Sequence, residues 1–218
     1  MFFSIIRRLK SVWFKVFFLR ELKIILASSS PRRIELLQEM GIPFDAVHPN
    51  VNESIINMDS KQKDVQQVAI DLSMLKALAV ARDYPRRLVL GADTLVSVDG
   101  EILGKPKDIE DGRRFLKLLS GRKHQVITGI SWVYQLKNYS FSEYALTHVY
   151  VHRLSDREIE DYLESEAVLD AAGAYKIQGA FFKYIKKLDG FYHNVVGLPM
   201  SLVYQSYYRL CGESDKNV

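Results

Sequence analysis

The sequence predicts an α/β fold of mixed α+β type, in which helices flank a central mixed sheet. In the first half of the chain, short apolar runs alternate with helical periodicity, as in strands joined by helices. Two long strand-like runs, about residues 125–135 and 141–151, are joined by the polar turn Lys137-Asn138, which favours an antiparallel pair. No repeat or low-complexity linker divides the 218 residues, which can bury one core as a single domain or as two fused lobes.

The first predicted elements are a strand and a helix within residues 24–41. Apolar residues 24–26 form the strand. Pro31 fits the first helical position, because a backbone N–H at that position would have no partner within the helix and proline lacks this N–H. Ser30 stands at the N-cap, where its side chain can accept from a first-turn N–H, and Gly41 ends the helix. A second strand follows at residues 42–47.

Periodicity, caps and turns predict the later elements. Tyr84-Pro85 ends a long helical pattern, Asp99-Gly100 is a good hairpin turn, and Ser155 with Glu158 matches a capping box. Helices are therefore predicted at 62–83, 108–119, 156–164 and 199–210, and further strands at 87–90, 94–98 and 101–103.

The segment at residues 28–33 is suited to hold phosphate. The first-turn N–H groups and the positive dipole end of the predicted helix point back toward the loop Ser28-Ser29-Ser30. Arg32 and Arg33 add mobile positive charge beside that loop. An ordinary capped helix with solvated arginines would have the same sequence, so this segment alone leaves both interpretations open.

Two charged side chains stand out in the segment at residues 88–108. Asp93 is predicted just past the carboxyl end of a strand, where open α/β sheets bind ligands, and Gly91 removes a side chain from the approach. Lys105 lies between Gly104 and Pro106, whose stiff backbone could aim its ammonium at a fixed point. Taken alone, either residue is more simply a turn aspartate or a solvated lysine.

Three further polar residues differ from their surroundings. Glu53 is a second acidic candidate, in a polar loop after the second strand. Lys76 interrupts the apolar pattern of the long helix, as a snorkelling lysine also would. Gln178 lies in a loop bracketed by Gly173 and Gly179, and its one acceptor and two N–H donors could read the edge of an uncharged base.

Composition and charge narrow the class of protein. Hydrophobic residues make up 48% and charged residues 26%, which is typical of a globular protein. The pI of about 9.0 arises at residues 1–20, which contain basic but no acidic residues, whereas the rest of the chain is nearly neutral. We therefore expect no nucleic-acid partner. The single cysteine, Cys211, excludes an intrachain disulfide and a cysteine-rich zinc site, and it fits the cytoplasm.

The chain is predicted to comprise an N-terminal basic amphipathic extension at 1–22, a main domain at 23–212 and a tail at 213–218. The extension has no apolar run long enough to span a membrane and no small-residue cleavage site after it. Three interpretations of residues 1–20 stay open: a helix in weak contact with a membrane surface, a helix packed on the domain, and a start codon assigned too far upstream.

Six motifs in order along residues 23–210 resemble the Maf family of nucleoside triphosphate pyrophosphatases, which is named for septum formation. The motifs are LASSSPRR, GADTLV, GKP, GRKHQVITG, AGAYKIQG and DGFYHNVVGLP. The resemblance implies a mixed α/β fold with a deep nucleotide-binding cleft. It also implies hydrolysis of a nucleoside triphosphate to the monophosphate and pyrophosphate, and dependence on a divalent metal cation, Mg²⁺ or Mn²⁺. A homodimer is left open.

The resemblance also assigns roles to particular positions. The catalytic carboxylate falls on Asp93, which with Glu53 would hold the metal, and the phosphate-side lysines fall on Lys76 and Lys105. Asn52 departs from the family pattern, because members often have another acid there. The positions that separate substrate subtypes are Arg32, Thr94 and Gln178, and here they look like the branch that acts on dTTP and UTP. The residues expected to bind substrate are thus Ser28, Ser30, Arg32, Arg33, Lys76, Thr94, Lys105 and Gln178.

Two other functions stay open beside hydrolysis of dTTP and UTP. One is the same chemistry on modified purine nucleotides such as 7-methyl-GTP. The other is a regulatory nucleotide-binding protein linked to cell division and septum formation. A carboxylate close to phosphate favours an enzyme, because a protein that only binds would meet repulsion between like charges unless a metal were present.

Overall fold

The computed structural model describes residues 23–52 and 64–210. The predicted extension at 1–22, the tail at 213–218 and the metal candidate Glu53 lie outside the described residues. Among the described residues, no helix is both long and apolar enough to span a membrane.

A mixed sheet of seven strands forms the centre of the described fold. The strands are β1 (Ile24–Ala27), β2 (Phe44–Val47), β3 (Val89–Val98), β4 (Glu101–Leu103), β5 (Lys123–Tyr134), β6 (Tyr139–Val151) and β7 (Ile185–Asp189). Their order is β2-β1-β3-β5-β6-β7, and β4 pairs with β3. Strand β1 pairs in parallel with β2 and β3, whereas β3, β5, β6 and β7 pair antiparallel in sequence. The predicted mixed α/β fold is therefore confirmed.

Six α-helices flank the sheet in the part of the chain that the structure describes. They are α1 (Pro31–Glu39), α2 (Val65–Asp83), α3 (Ile109–Leu119), α4 (Asp156–Ser165), α5 (Tyr192–Val196) and α6 (Met200–Leu210). Pro31 begins α1, and Ser155 and Glu158 form the predicted capping box of α4. The short strand β7 and helix α5 are additions that the sequence pattern did not predict.

Strand β1 is buried on both faces and separates the core into two layers. Ile24 and Leu26 pack in the cluster that includes α1, α3, α4 and α6. Ile25 and Ala27 pack on the opposite face, against the helix α2. Side chains alternate between the two faces of a strand, so the carboxyl end of β1 is a place where groups from both layers meet.

Strand β3 differs from its prediction, because residues 89–98 form one continuous strand. Its pairing with β5 runs without a break from Val89↔Val133 to Ser97↔Gln125, so the predicted interruption at Gly91 is wrong. A Cβ at Gly91 would lie 2.1 Å from the carbonyl oxygen of Ser73 in α2. The missing side chain therefore permits close packing of α2 on the sheet, and it is not needed to open a ligand approach.

Candidate active site

A cavity of about 660 Å³ lies at the carboxyl end of β1. Every predicted site residue that the structure describes lines it: Ser28, Ser30, Arg32, Arg33, Lys76, Asp93, Thr94, Lys105 and Gln178. The last parallel pair of β1 is Ala27↔Gly91, and β3 continues beyond it through Asp93 and Thr94. The structure thus brings these residues together, and the depth of the predicted cleft stays a prediction.

Asp93 and Lys76 form a buried ion pair in this cavity. The Lys76 Nζ donates directly to Asp93 Oδ1, and both residues are less than a tenth exposed. Asp93 lies inside β3, so the expectation that it follows the end of its strand is wrong. The strand that ends here is its neighbour β1, and Asp93 extends past that end in the sheet. The strand that ends at the cavity is therefore β1, and ligand binding at this strand end stays a prediction.

Glycines set the distance between α2 and Asp93. Gly129 pairs with Asp93 across β3 and β5, and a Cβ on it would lie 2.3 Å from the Ala69 carbonyl oxygen in α2. Gly91, two residues before Asp93, faces α2 in the same way. Close approach of the α2 backbone at both glycines places Lys76 against Asp93.

Arg33 is anchored, which corrects the expectation of a mobile charge. Its Nε donates to the Gly197 carbonyl at 2.8 Å, and its Nη2 donates to Thr94 Oγ1 at 3.1 Å. Thr94 Oγ1 in turn lies 3.0 Å from Thr128 Oγ1. Several directed hydrogen bonds hold the planar guanidinium in one orientation. Arg33 therefore presents fixed positive charge and ties α1 to the segment at Gly197.

The serines before α1 are arranged differently from their prediction. Ser30 occupies the N-cap position but makes no side-chain cap, so the predicted capping bond is absent. Instead, the backbone N–H of Ser30 donates to the buried Ser28 Oγ at 3.2 Å. This bond turns the loop inward, so that Ser28, Ser29 and Ser30 all line the cavity below the N-terminus of α1.

Asp170 is a cavity residue that the sequence analysis missed. Its Oδ1 accepts from Lys105 Nζ at 2.6 Å, and its backbone carbonyl accepts from Arg32 Nη2 at 3.5 Å. The Lys105 hydrogen bond is the main cause that lowers the pKa of the Asp170 carboxyl, with a smaller contribution from the charge of Arg32. The available signal was its position two residues before the AGAYKIQG motif, but only the fold shows its two partners.

Oxygen donors in the cavity fit a divalent metal that binds together with a triphosphate. Within residues 23–52 and 64–210, no group of three His, Cys, Asp or Glu side chains is placed to hold a metal. Mg²⁺ is usually bound by one or two carboxylates plus phosphate oxygens, and Asp93 offers such a carboxylate. The described residues therefore suit a shared protein and substrate site.

Buried His124 predicts a pH dependence of stability. Burial lowers its pKa from 6.5 to about 3, so the folded protein keeps it neutral while the unfolded chain protonates it below pH 6.5. The stability that depends on neutral His124 is complete above pH 6.5 and falls by about 1.4 kcal/mol per pH unit toward pH 3. Between pH 6.5 and 4.5, urea unfolding should show about 2.3 kcal/mol more loss for wild type than for His124→Gln, because the unfolded imidazole is only half protonated at pH 6.5. Parallel pH profiles of the two proteins would contradict this.

Comparison with known proteins places this arrangement in a family. The family profile described as Maf-like protein matches residues 23–210. The chain belongs to the Maf family. It is 41% identical over 180 residues to the dTTP/UTP pyrophosphatase of Clostridioides difficile, a match that covers 83% of this chain and 91% of that protein. It is 45% identical over 178 residues to the dTTP/UTP pyrophosphatase of Symbiobacterium thermophilum, covering 82% of this chain and 89% of that protein.

Similarity to solved structures is weaker than similarity to these sequence relatives. The Staphylococcus aureus Ham1 protein matches with a TM-score of 0.42 and 15% identity, over 59% of this chain and 71% of that chain. A similarity at this level carries no argument here. The family assignment therefore depends on the profile and on the sequence relatives.

Proposed function

We propose that this chain is a nucleoside triphosphate pyrophosphatase that hydrolyses dTTP and UTP, and modified pyrimidine nucleotides, to the monophosphate and pyrophosphate. One observation carries the proposal: the buried Asp93 and the cations Arg32, Lys76 and Lys105 line a single cavity at the end of β1. The similarity to proteins named dTTP/UTP pyrophosphatase supports the same substrates.

The cations are suited to receive the triphosphate. Arg32 and Lys105 lie at the exposed side of the cavity with Asp170, and the N–H groups at the start of α1 lie beside the serine loop. Positive charge and aligned N–H donors stabilise the negative charge that develops on a leaving pyrophosphate. Arg33 adds charge from its fixed position. These groups hold the phosphates and favour departure of the β and γ phosphates together.

Asp93 is the proposed general base, and Lys76 orients it. Asp93 accepts a proton from water, the water oxygen bonds to the α-phosphorus, and the bond from that phosphorus to the pyrophosphate oxygen breaks. The Lys76 hydrogen bond fixes one carboxylate oxygen of Asp93. Mg²⁺ or Mn²⁺, held by Asp93 and by Glu53 as the family resemblance implies, would supply further neutralisation of phosphate charge.

Hydrolysis of a nucleotide panel tests the function. Pyrophosphate release is measured for normal and modified nucleotides with Mg²⁺ or Mn²⁺, and the highest kcat/KM is expected for dTTP and UTP. A preference for 7-methyl-GTP would instead indicate the modified-purine alternative. Tight binding without turnover of any nucleotide would indicate a regulatory binding protein.

Location and partners are proposed from the sequence. The single cysteine supports a cytoplasmic location, and the nearly neutral chain after residue 20 supports a free nucleotide as partner in place of nucleic acid. Weak contact of residues 1–20 with anionic membranes should appear as vesicle binding that falls as salt rises. Sedimentation of the full chain tests a homodimer.

Gln178→Glu should lower turnover of dTTP and UTP selectively. Gln178 is exposed on the cavity lining, and the change replaces two amide donors by a carboxylate that only accepts. Thymine and uracil present two carbonyl acceptors, so a lost or opposed bond should reduce kcat/KM by roughly ten- to a hundredfold. Steady-state kinetics on both nucleotides provides the measurement, and Gln67→Glu, an exposed residue on α2, is the matched control. Unchanged kinetics would remove Gln178 from base recognition.

A further inference from the structure

The segment that presents Gln178 depends on side chains behind it for its shape. Residues 175–178 all line the cavity, and they connect two short 3-10 turns, Ala172–Ala174 and Ala180–Tyr184. A segment without a regular hydrogen-bond ladder of its own takes its rigidity from tertiary contacts. The contacts that hold this segment therefore decide how firmly Gln178 is placed.

Three side chains hold the segment from the side away from the cavity. Tyr175 OH lies 2.8 Å from His124 Nε2 in β5. The backbone N–H of Lys176 donates to Tyr162 OH in α4 at 3.1 Å. The backbone N–H of Ala180 donates to Glu166 Oε1 at 3.0 Å. Gln178 lies between these bonds, so its backbone is tied on both sides.

His124 is anchored within the central sheet. It is 1% exposed, and its backbone pairs with Val149 inside the β5–β6 ladder. The Tyr175 ring that it contacts is also held by Phe181, with ring centroids 4.5 Å apart. The hydrogen bond between the His124 ring, on this anchored strand, and the Tyr175 hydroxyl fixes the start of the segment.

Packing alone does not explain why a histidine occupies this buried position. Its Nδ1 is buried without a hydrogen-bond partner among the described residues. An unpaired buried polar atom destabilises the folded state, and an apolar residue of similar size would avoid this cost. Within the described ranges, the imidazole has one polar contact, the Tyr175 hydroxyl, and an apolar residue could not make this contact.

We propose that His124 is a positioning residue for base selection, which acts through Tyr175 to hold the segment that presents Gln178. This inference rests on the proposed function, in which Gln178 reads the base. Asp93 is held separately by Lys76 in another part of the cavity. Loss of the His124 contact should therefore reduce discrimination between bases more than it reduces the chemical step.

The kinetic test compares UTP with CTP, whose base has an amine where uracil has a carbonyl. His124→Leu and Tyr175→Phe should each lower the UTP/CTP ratio of kcat/KM by roughly tenfold, mainly through KM for UTP. The double variant should be no worse than either single one, because both changes remove the same bond. His124→Gln, whose amide nitrogen can replace Nε2, should keep most of the ratio.

A matched control separates this effect from general destabilisation. Ser206→Ala removes another buried hydrogen bond, from Trp132 Nε1 to Ser206 Oγ at 2.8 Å, which lies away from the cavity lining. It should leave the UTP/CTP ratio unchanged. Tyr175→Phe deletes only a hydroxyl, so it carries the test if His124→Leu does not fold.

Hydrogen exchange provides a readout that does not require turnover. Amides of residues 176–180 should exchange at least several-fold faster in the Tyr175→Phe variant than in wild type, and at the wild-type rate in Ser206→Ala. If wild type hydrolyses no nucleotide, the proposed function fails. The hydrogen-exchange measurement still tests whether the Tyr175 hydroxyl holds residues 176–180 in place. Unchanged exchange, or an unchanged UTP/CTP ratio in folded Tyr175→Phe and His124→Leu where wild type is active, overturns the inference.

Discussion

Asp93→Asn is expected to lower turnover of dTTP by at least ~10²-fold, the lower end for loss of a general base. The amide has nearly the same size as the carboxylate, and its oxygen can still accept the hydrogen bond from Lys76. It cannot take a proton from water and binds a divalent cation weakly. Water activation should therefore be lost. The neutral amide oxygen still meets Lys76 but no longer balances its charge, so some stability is lost as well, and the rates are compared on protein shown to be folded by circular dichroism.

Nucleotide binding is expected to persist in the same variant. Arg32, Lys105 and the N-terminus of α1, which are the proposed phosphate-binding groups, are unchanged in this variant, and removal of a nearby negative charge reduces repulsion. Initial-rate pyrophosphate release and calorimetric binding of a non-hydrolysable dTTP analogue, each with Mg²⁺, measure the two effects separately. Asp99→Asn is the matched control, because Asp99 lies in an exposed turn with φ of 50°, which Asn also adopts readily. Near-normal turnover of Asp93→Asn would reject the assignment and make Glu53 the next base to test.

Local chemistry in the sequence was sufficient to predict most of the elements. Pro31 at the start of α1, the Ser155 and Glu158 capping box, and the turn between β5 and β6 each depend on a few neighbouring residues. The grouping of the site was predicted only in part: the serine loop and Arg33 lie at the end of β1 and the start of α1, as expected, whereas Asp93 lies inside β3 and Lys76 inside α2.

The errors concern contacts between distant parts of the chain. Gly91 looked like a strand end, but its role depends on the α2 backbone packed over it. Arg33 looked mobile, but it is held by the carbonyl of Gly197, 164 residues later in the chain. Asp170 was missed because an exposed acid can be assigned to the site only once its partners, Lys105 and Arg32, are known. Periodicity and spacing carry no information on such partners.

Lys76→Met should strongly destabilise the protein. The change keeps the length of the side chain but removes the cation that contacts the buried Asp93 carboxylate. Loss of one partner from a buried ion pair costs about 3 to 5 kcal/mol, because the remaining charge stays desolvated. Urea unfolding followed by circular dichroism gives the free energy of unfolding of both proteins.

Lys117→Met is the matched control for this prediction. The same substitution there breaks an exposed pair with Asp156, at 3.0 Å and with both side chains more than half exposed, and should cost less than about 1 kcal/mol. An equal loss of unfolding free energy in the two variants would show that the pair of Lys76 and Asp93 contributes no more than an exposed ion pair.

The double variant of Lys76→Met and Asp93→Asn isolates the charge on Asp93 as the cause. With both charges removed, no uncompensated carboxylate is left by the first change, so the double variant should be more stable than Lys76→Met alone. Recovery would show that the loss in Lys76→Met arises from the buried Asp93 charge, which Lys76 balances and holds in place. A double variant that is less stable than Lys76→Met would instead show that the loss comes from packing of the lysine stem against α2 and the sheet.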